Sequence, residues 1–186
     1  MARAMTRTGT PEVTPQSADR TLVLMRHAKS SWSTPLPDHE RPLSARGRRD
    51  GLAAGAWLSE RRFEPQLALV SDSTRTRQTT ERLLLGGLAL PDVRYEREIY
   101  DGNERDLVRL IRRTPDEVTT LLLIGHNPTL EETLHLLARR VGNYAWWAAI
   151  DEKFPTSAIA VLGFDGTWAD VEAGVGALLA YEVPRG

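Results

Sequence analysis

The chain has 186 residues, enough for one domain with its own apolar core and a short tail. It contains no cysteine, which excludes disulfides, thiolate metal sites, iron–sulfur ligation and a cysteine nucleophile. Lys+Arg is 24 against 25 Asp+Glu, a net charge of -1, so no overall basic field invites nucleic acid; hydrophobic content is an ordinary globular 41%, and no apolar run has the roughly 18 residues of a membrane helix.

Residues 1–20 (MARAMTRTGTPEVTPQSADR) have no apolar periodicity and many Thr, Pro and Gly residues. They predict a flexible leader ahead of a single domain over 21–186. The leader lacks the apolar core of a secretory signal, and Glu12 and Asp19 count against a transit peptide, so a cytoplasmic location is expected. Met1 and Met5 both stand as candidate starts.

From residue 21 onward, short apolar runs alternate with helical patterns. Residues 21–25 (TLVLM) read as a buried strand. A helix is expected over 43–63, with Ser44 as its N-cap and Leu52, Ala53, Ala56, Trp57 and Phe63 on its inner face. Residues 67–71 form the next strand, and 74–85 a helix ended by Gly86-Gly87. Residues 93–99 read as a polar edge strand, 104–113 as a short helix, 120–124 as a third strongly apolar strand and 129–140 as a helix. Two closing strands are expected at 157–164 and 177–183, with a turn at Asp165-Gly166. Alternating strands and helices, with strands apolar throughout, predict an α/β fold: a three-layer α/β/α sandwich around a mostly parallel sheet.

Three polar motifs follow three of the apolar strands: Arg26-His27-Ala28-Lys29-Ser30, Arg75-Thr76-Arg77-Gln78-Thr79 and Gly125-His126-Asn127-Pro128. Ligands of open α/β sheets bind beyond the carboxyl ends of the strands. If these strands are parallel neighbours, two histidines and two arginines converge on one patch of a protein with no net positive charge. Such a cluster suits a phosphoryl group, because guanidinium groups grip phosphate oxygens in pairs and a neutral imidazole can attack phosphorus. Nearby arginines favour the neutral imidazole of the nucleophile, while the second histidine could carry a proton and stabilise the transferring group.

In kind, order and separation the three blocks resemble those of the histidine phosphatase superfamily, over roughly residues 21–183. With Glu40-Arg41-Pro42-Leu43-Ser44, Arg46-Gly47 and Phe154-Pro155-Thr156, the chain is most similar to the short SixA-type phosphohistidine phosphatases. The resemblance implies a phosphoglycerate mutase-like fold and a phosphatase that needs neither metal nor cofactor. It implies His27 as the transiently phosphorylated nucleophile, and Arg26, Arg75 and His126 as the groups that bind the phosphoryl oxygens. The implied substrate is a protein carrying phosphohistidine, or a small phosphorylated compound such as a phosphoramidate or phosphomonoester. Nucleic acid and membrane are not expected partners. Glu98, Asp101 and Asp38 stand as candidate proton donors; the weakness of an acid motif leans towards phosphohistidine, whose leaving imidazole needs less help than an alkoxide. A mutase of the same superfamily and a non-catalytic phosphate- or phosphopeptide-binding module are the alternatives.

Other residues carry plainer expectations. Arg77 and the Arg46, Arg48, Arg49 stretch read as surface charge, His135 as structural, and His39 as a candidate for the site mouth. Ser30 could donate to a phosphate oxygen, Trp32 reads as a packed loop residue, and Trp146-Trp147 as core or lid. Gly47, near the first turn of its helix, reads either as a site of close backbone approach or as a tolerated helix glycine.

Overall fold

The computed structural model describes residues 18–33 and 35–186. Residues 1–17, most of the expected leader, lie outside the described part. The leader's last residue, Arg20, already belongs to the first strand, β1 (Arg20–Arg26). There follow α1 (Ala45–Glu60), β2 (Leu67–Ser71), α2 (Thr74–Leu85), β3 (Val93–Glu96), α3 (Glu98–Asp101), α4 (Glu104–Arg112) and β4 (Thr120–Gly125). The chain closes with α5 (Thr129–Leu137), β5 (Ala138–Arg139), α6 (Tyr144–Glu152), β6 (Ile159–Phe164) and β7 (Gly176–Glu182).

The strands form one sheet in the order β3-β2-β4-β1-β6-β7-β5. β1, β2, β3 and β4 run parallel, whereas β6 lies antiparallel between β1 and β7. Successive strand residues point to opposite faces, and both faces are buried. Leu22 and Leu24 with Leu121 and Leu123 pack on one face against Leu107 and Ile111 of α4 and Leu130 and Leu134 of α5. Val23 and Met25 with Leu122 and Ile124 pack on the other against Ala54 and Leu58 of α1 and Leu83 of α2. This is the expected α/β/α sandwich.

Several details differ from the sequence reading. The inner face of α1 is Gly47, Asp50, Gly51, Ala54, Gly55 and Leu58; Leu52, Ala53, Ala56 and Trp57 are only half buried. The small residues win because α2 comes too close for larger ones. A Cβ on Gly55 would lie 2.3 Å from the Leu83 carbonyl oxygen, and one on Gly51 2.7 Å from Arg82 Cβ. Strand β3 ends at Glu96, after which the chain turns into α3. α5 ends at Leu137 because Ala138 and Arg139 pair with Gly176 and Ala177 of β7. α6 was not anticipated; it is capped by Asn143 and buries Trp147 and Ile150, too short a stripe to stand out in the sequence.

Candidate active site

β4 lies between β1 and β2 with matched register, Met25 beside Ile124 and Ile124 beside Val70. The three motifs therefore leave adjacent strands at the same end of the sheet. They line a cleft of about 340 Å³ that brings together Arg26, His27, Arg75 and His126, the four residues singled out in the sequence. The His27 and His126 rings are 5.0 Å apart, centroid to centroid.

His27 is 7% exposed, and its Nδ1 lies 2.8 Å from the Ala28 carbonyl oxygen. A carbonyl only accepts, so Nδ1 carries the proton and Nε2 keeps its lone pair. Burial lowers the His27 pKa well below the ordinary histidine value, helped by His126, Arg75 and Arg26 and opposed by the Ala28 carbonyl. The second block holds this loop from the side. Thr79 Oγ1 accepts from the Ala28 N–H at 3.0 Å, and Gln78 Oε1 accepts from the Leu43 N–H at 2.7 Å. Thr79 of this block thus holds the His27 loop and Gln78 the chain at Leu43, while its first arginine faces the cleft.

His126 Nε2 lies 2.8 Å from Ser71 Oγ. Ser71 Oγ also accepts from the Ser73 N–H at 3.4 Å, and with its second lone pair and its proton it can serve either tautomer of His126. Nδ1 is buried and has no partner among the described residues. Burial first, then Arg75, pushes the His126 pKa down to about 3, with Asp38 opposing. Within the protein's own surroundings the second histidine is therefore neutral near pH 7 and offers one N–H donor.

Arg26 donates from Nη1 to the Phe154 carbonyl at 2.8 Å, and its Nε is buried with no partner among the described residues. Arg75, near the start of α2, is 6% exposed and forms an ion pair with Asp38 at 2.9 Å. Asp38 also accepts from Arg41 Nη1 at 2.7 Å and from the Tyr100 hydroxyl at 2.8 Å. Desolvation alone would raise the Asp38 carboxyl, but Tyr100, Arg75 and Arg41 outweigh it and hold the group below the usual carboxylate range. Asp38 is the one carboxylate among the described cleft-lining residues. Glu98 is held by Arg109 at 3.1 Å and Asp101 by Arg97 at 2.7 Å; neither lines the cleft, which removes both from the reaction centre.

Arg41, Tyr100, Thr79 and Ser71 received no role from the sequence alone. Arg41 stood in a motif quoted only for resemblance, and Tyr100 beside the acids under scrutiny. Tyr100 is edge-on to His126 at 5.3 Å and to His39 at 4.8 Å. His39 is bonded to Asp72 at 2.7 Å and stands behind Tyr100, outside the cleft lining. Ser30 does line the cleft, its hydroxyl oxygen accepting from Arg41 Nη2. Trp32 is 75% exposed at the mouth, contrary to the packed position expected, with the Arg41 guanidinium 3.3 Å from its ring centroid. Arg77 lies over Tyr95, away from the cleft, as expected of surface charge.

A parallel α/β sheet with a neutral buried imidazole and several guanidinium donors at its carboxyl end defines a phosphoryl-transfer enzyme. Residues 22–163 match the family model of the histidine phosphatase superfamily, branch 1. An uncharacterised protein of Mycobacterium tuberculosis is 44% identical over 162 residues, covering 87% of this chain and all of that protein. A structure from Nakamurella multipartitia assigned to the phosphohistidine phosphatase SixA superposes with a TM-score of 0.75 and 32% identity, over 89% of this chain and 96% of that one. Its counterpart from Agrobacterium tumefaciens gives 0.73 and 30%, over 89% and 99%. The chain belongs to the histidine phosphatase superfamily, in its SixA-like branch, and is a phosphatase. Among the described residues no helix is long and apolar enough to cross a membrane.

Proposed function

We propose that the protein hydrolyses phosphohistidine, carried on a protein, through a phosphorylated His27. The observation that carries this reading is the state of Asp38. The one carboxylate among the described cleft residues is ionised and pinned by Arg75, Arg41 and Tyr100, so among them no carboxylic acid stands ready to protonate a leaving group. An alkoxide leaving group needs that proton. The imidazole of phosphohistidine does not, because its other ring nitrogen titrates near neutral pH and takes a proton from solvent before the P–N bond breaks, so that it departs as neutral imidazole.

The reading implies the following steps. The incoming phosphoryl oxygens replace the Asp38 carboxylate on Arg75 and take up the donors of Arg26 and His126. His27 Nε2 attacks phosphorus; the new N–P bond forms as the P–N bond to the leaving imidazole breaks, and its electron pair leaves with that nitrogen. The positive donors stabilise the charge on the three equatorial oxygens. Water then attacks phosphorus, the electron pair of the N–P bond returns to Nε2, and phosphate departs with the proton of the water distributed to solvent.

The test is turnover of a phosphohistidine peptide, phosphoramidate and p-nitrophenyl phosphate in the presence of EDTA, for wild type and His27→Ala. Wild type is expected to prefer the two P–N substrates. His27→Ala is expected to lose at least about a thousandfold in rate, in the range seen when a nucleophile is removed. Preference for p-nitrophenyl phosphate would overturn the substrate assignment, and full activity of His27→Ala would overturn the mechanism.

A further inference from the structure

One buried charge takes no part in this chemistry. Asp50, in the middle of α1, is 1% exposed. Its Oδ2 accepts from Arg46 Nε at 3.2 Å and from Arg185 Nη1 at 3.1 Å. A buried carboxylate is retained only with good partners, and removal of one partner leaves an uncompensated charge. Arg185 Nη1 also donates to the Thr156 carbonyl at 3.0 Å, and Thr156 lines the cleft.

Thr156 belongs to the 154–158 loop that carries the support of Arg26. The Phe154 carbonyl accepts from Arg26 Nη1 at 2.8 Å and from Asn127 Nδ2 at 3.1 Å. The Ser157 N–H donates to the Arg26 and His27 carbonyls, both at 3.2 Å, and the Arg26 N–H donates to the Ala158 carbonyl at 3.0 Å. Ser157 holds this position at φ 68°, a conformation that persists only where the surroundings enforce it. Catalytic residues thus brace the loop on its inner side. On its outer side the brace is Arg185, whose own position is set by Asp50.

We propose that Asp50 and Arg185 are positioning residues for the phosphate-gripping Arg26, acting through the 154–158 loop. The proposal rests on reading the cleft as the phosphoryl site. Asp50 fixes the Arg185 guanidinium, Arg185 fixes the Thr156 carbonyl, and the loop presents the Phe154 carbonyl at the one place where it directs the Arg26 fork into the cleft. The C-terminal segment is by this argument part of the binding apparatus, although it touches no substrate.

The experiment is inorganic phosphate binding by calorimetry at 25 °C, with KM and kcat on phosphoramidate, for wild type, Arg185→Ala, Asp50→Asn and the double variant. Thermal midpoints are measured in parallel. Arg185 is 40% exposed at its side chain, so Arg185→Ala is the variant expected to fold if Asp50→Asn does not. Arg185→Ala should weaken phosphate about tenfold and raise KM by a similar factor with less change in kcat, the lower range for loss of a residue that orients a ligand-binding group. Asp50→Asn should act in the same direction, and the double variant should be no weaker than Arg185→Ala. A lowered thermal midpoint with wild-type phosphate affinity would make the network a structural clasp and overturn the proposal, as would additive losses. Arg26→Ala separates the two readings: if it binds phosphate as wild type does, the cleft itself has been misread.

Discussion

The two site histidines make stability depend on acidity with a definite sign. A histidine whose folded pKa is depressed binds a proton in the unfolded chain before it does so in the folded one. Stability is therefore complete above the unfolded value near 6.5 and is lost as pH falls towards the folded value. For His126 the window runs from about 6.5 down to about 3. Between pH 7 and pH 5 the unfolded group becomes almost fully charged while the folded one stays neutral, a loss of about 2 kcal/mol from this residue alone. His27, buried deeper and shifted the same way, adds a loss of the same sign. The assay is urea unfolding followed by the fluorescence of the five tryptophans at pH 7 and pH 5 in a buffer without phosphate, for wild type and His126→Gln. His126→Gln should lose about 2 kcal/mol less than wild type between the two pH values, whatever its stability at pH 7. An unchanged difference between pH 7 and pH 5 would refute the reasoning, since glutamine does not titrate. Added phosphate should flatten the wild-type difference, because a bound anion favours the protonated imidazoles.

Further predictions concern single contacts. Asp38→Asn should tighten inorganic phosphate about fivefold, since a half-exposed carboxylate paired with arginine competes by about 1 kcal/mol; calorimetry at low salt reads it, and unchanged affinity would show that Asp38 does not compete. Gly47→Ala places a Cβ 2.0 Å from the Lys29 carbonyl oxygen, so it should destabilise the fold by at least about 1–3 kcal/mol and lower turnover; a wild-type urea midpoint would contradict this packing. Thr79→Val strips the buried Ala28 N–H of its acceptor, at about 1–3 kcal/mol, and should lower kcat more than it raises KM; steady-state kinetics on phosphoramidate checks it.

What the sequence made legible were local signals. The apolar runs became β1, β2, β4 and β6, and Ser44 caps α1 by accepting from the Gly47 N–H, because strand burial and capping are written in neighbouring residues. The convergence of Arg26, His27, Arg75 and His126 was legible because each motif follows its strand directly, and parallel neighbours bring their ends together. What stayed hidden depends on distant partners. Which face of α1 is buried is decided by the approach of α2, which prefers glycines to Leu52 and Trp57. The choice among Asp38, Glu98 and Asp101 needed the placement of Asp38, which pairs with Arg75, some 37 positions away in sequence. The Asp50–Arg185 pair spans 135 positions and has no local signature.

The cleft has two walls of unequal stiffness. His27 emerges from β1, a central strand hydrogen-bonded on both sides and buried on both faces. Its amides should exchange with deuterium only through global unfolding. The opposite wall carries Asp38 and Arg41; near it the Ser31 N–H donates to the Pro42 carbonyl and the Ser44 N–H to the Lys29 carbonyl, while Arg75 reaches the Asp38 carbonyl and Gln78 the Leu43 N–H through side chains. Amides of Asp38 and Glu40, outside any regular sheet, should exchange faster than those of β1, so the two walls that meet at the cleft differ in how firmly the backbone holds them.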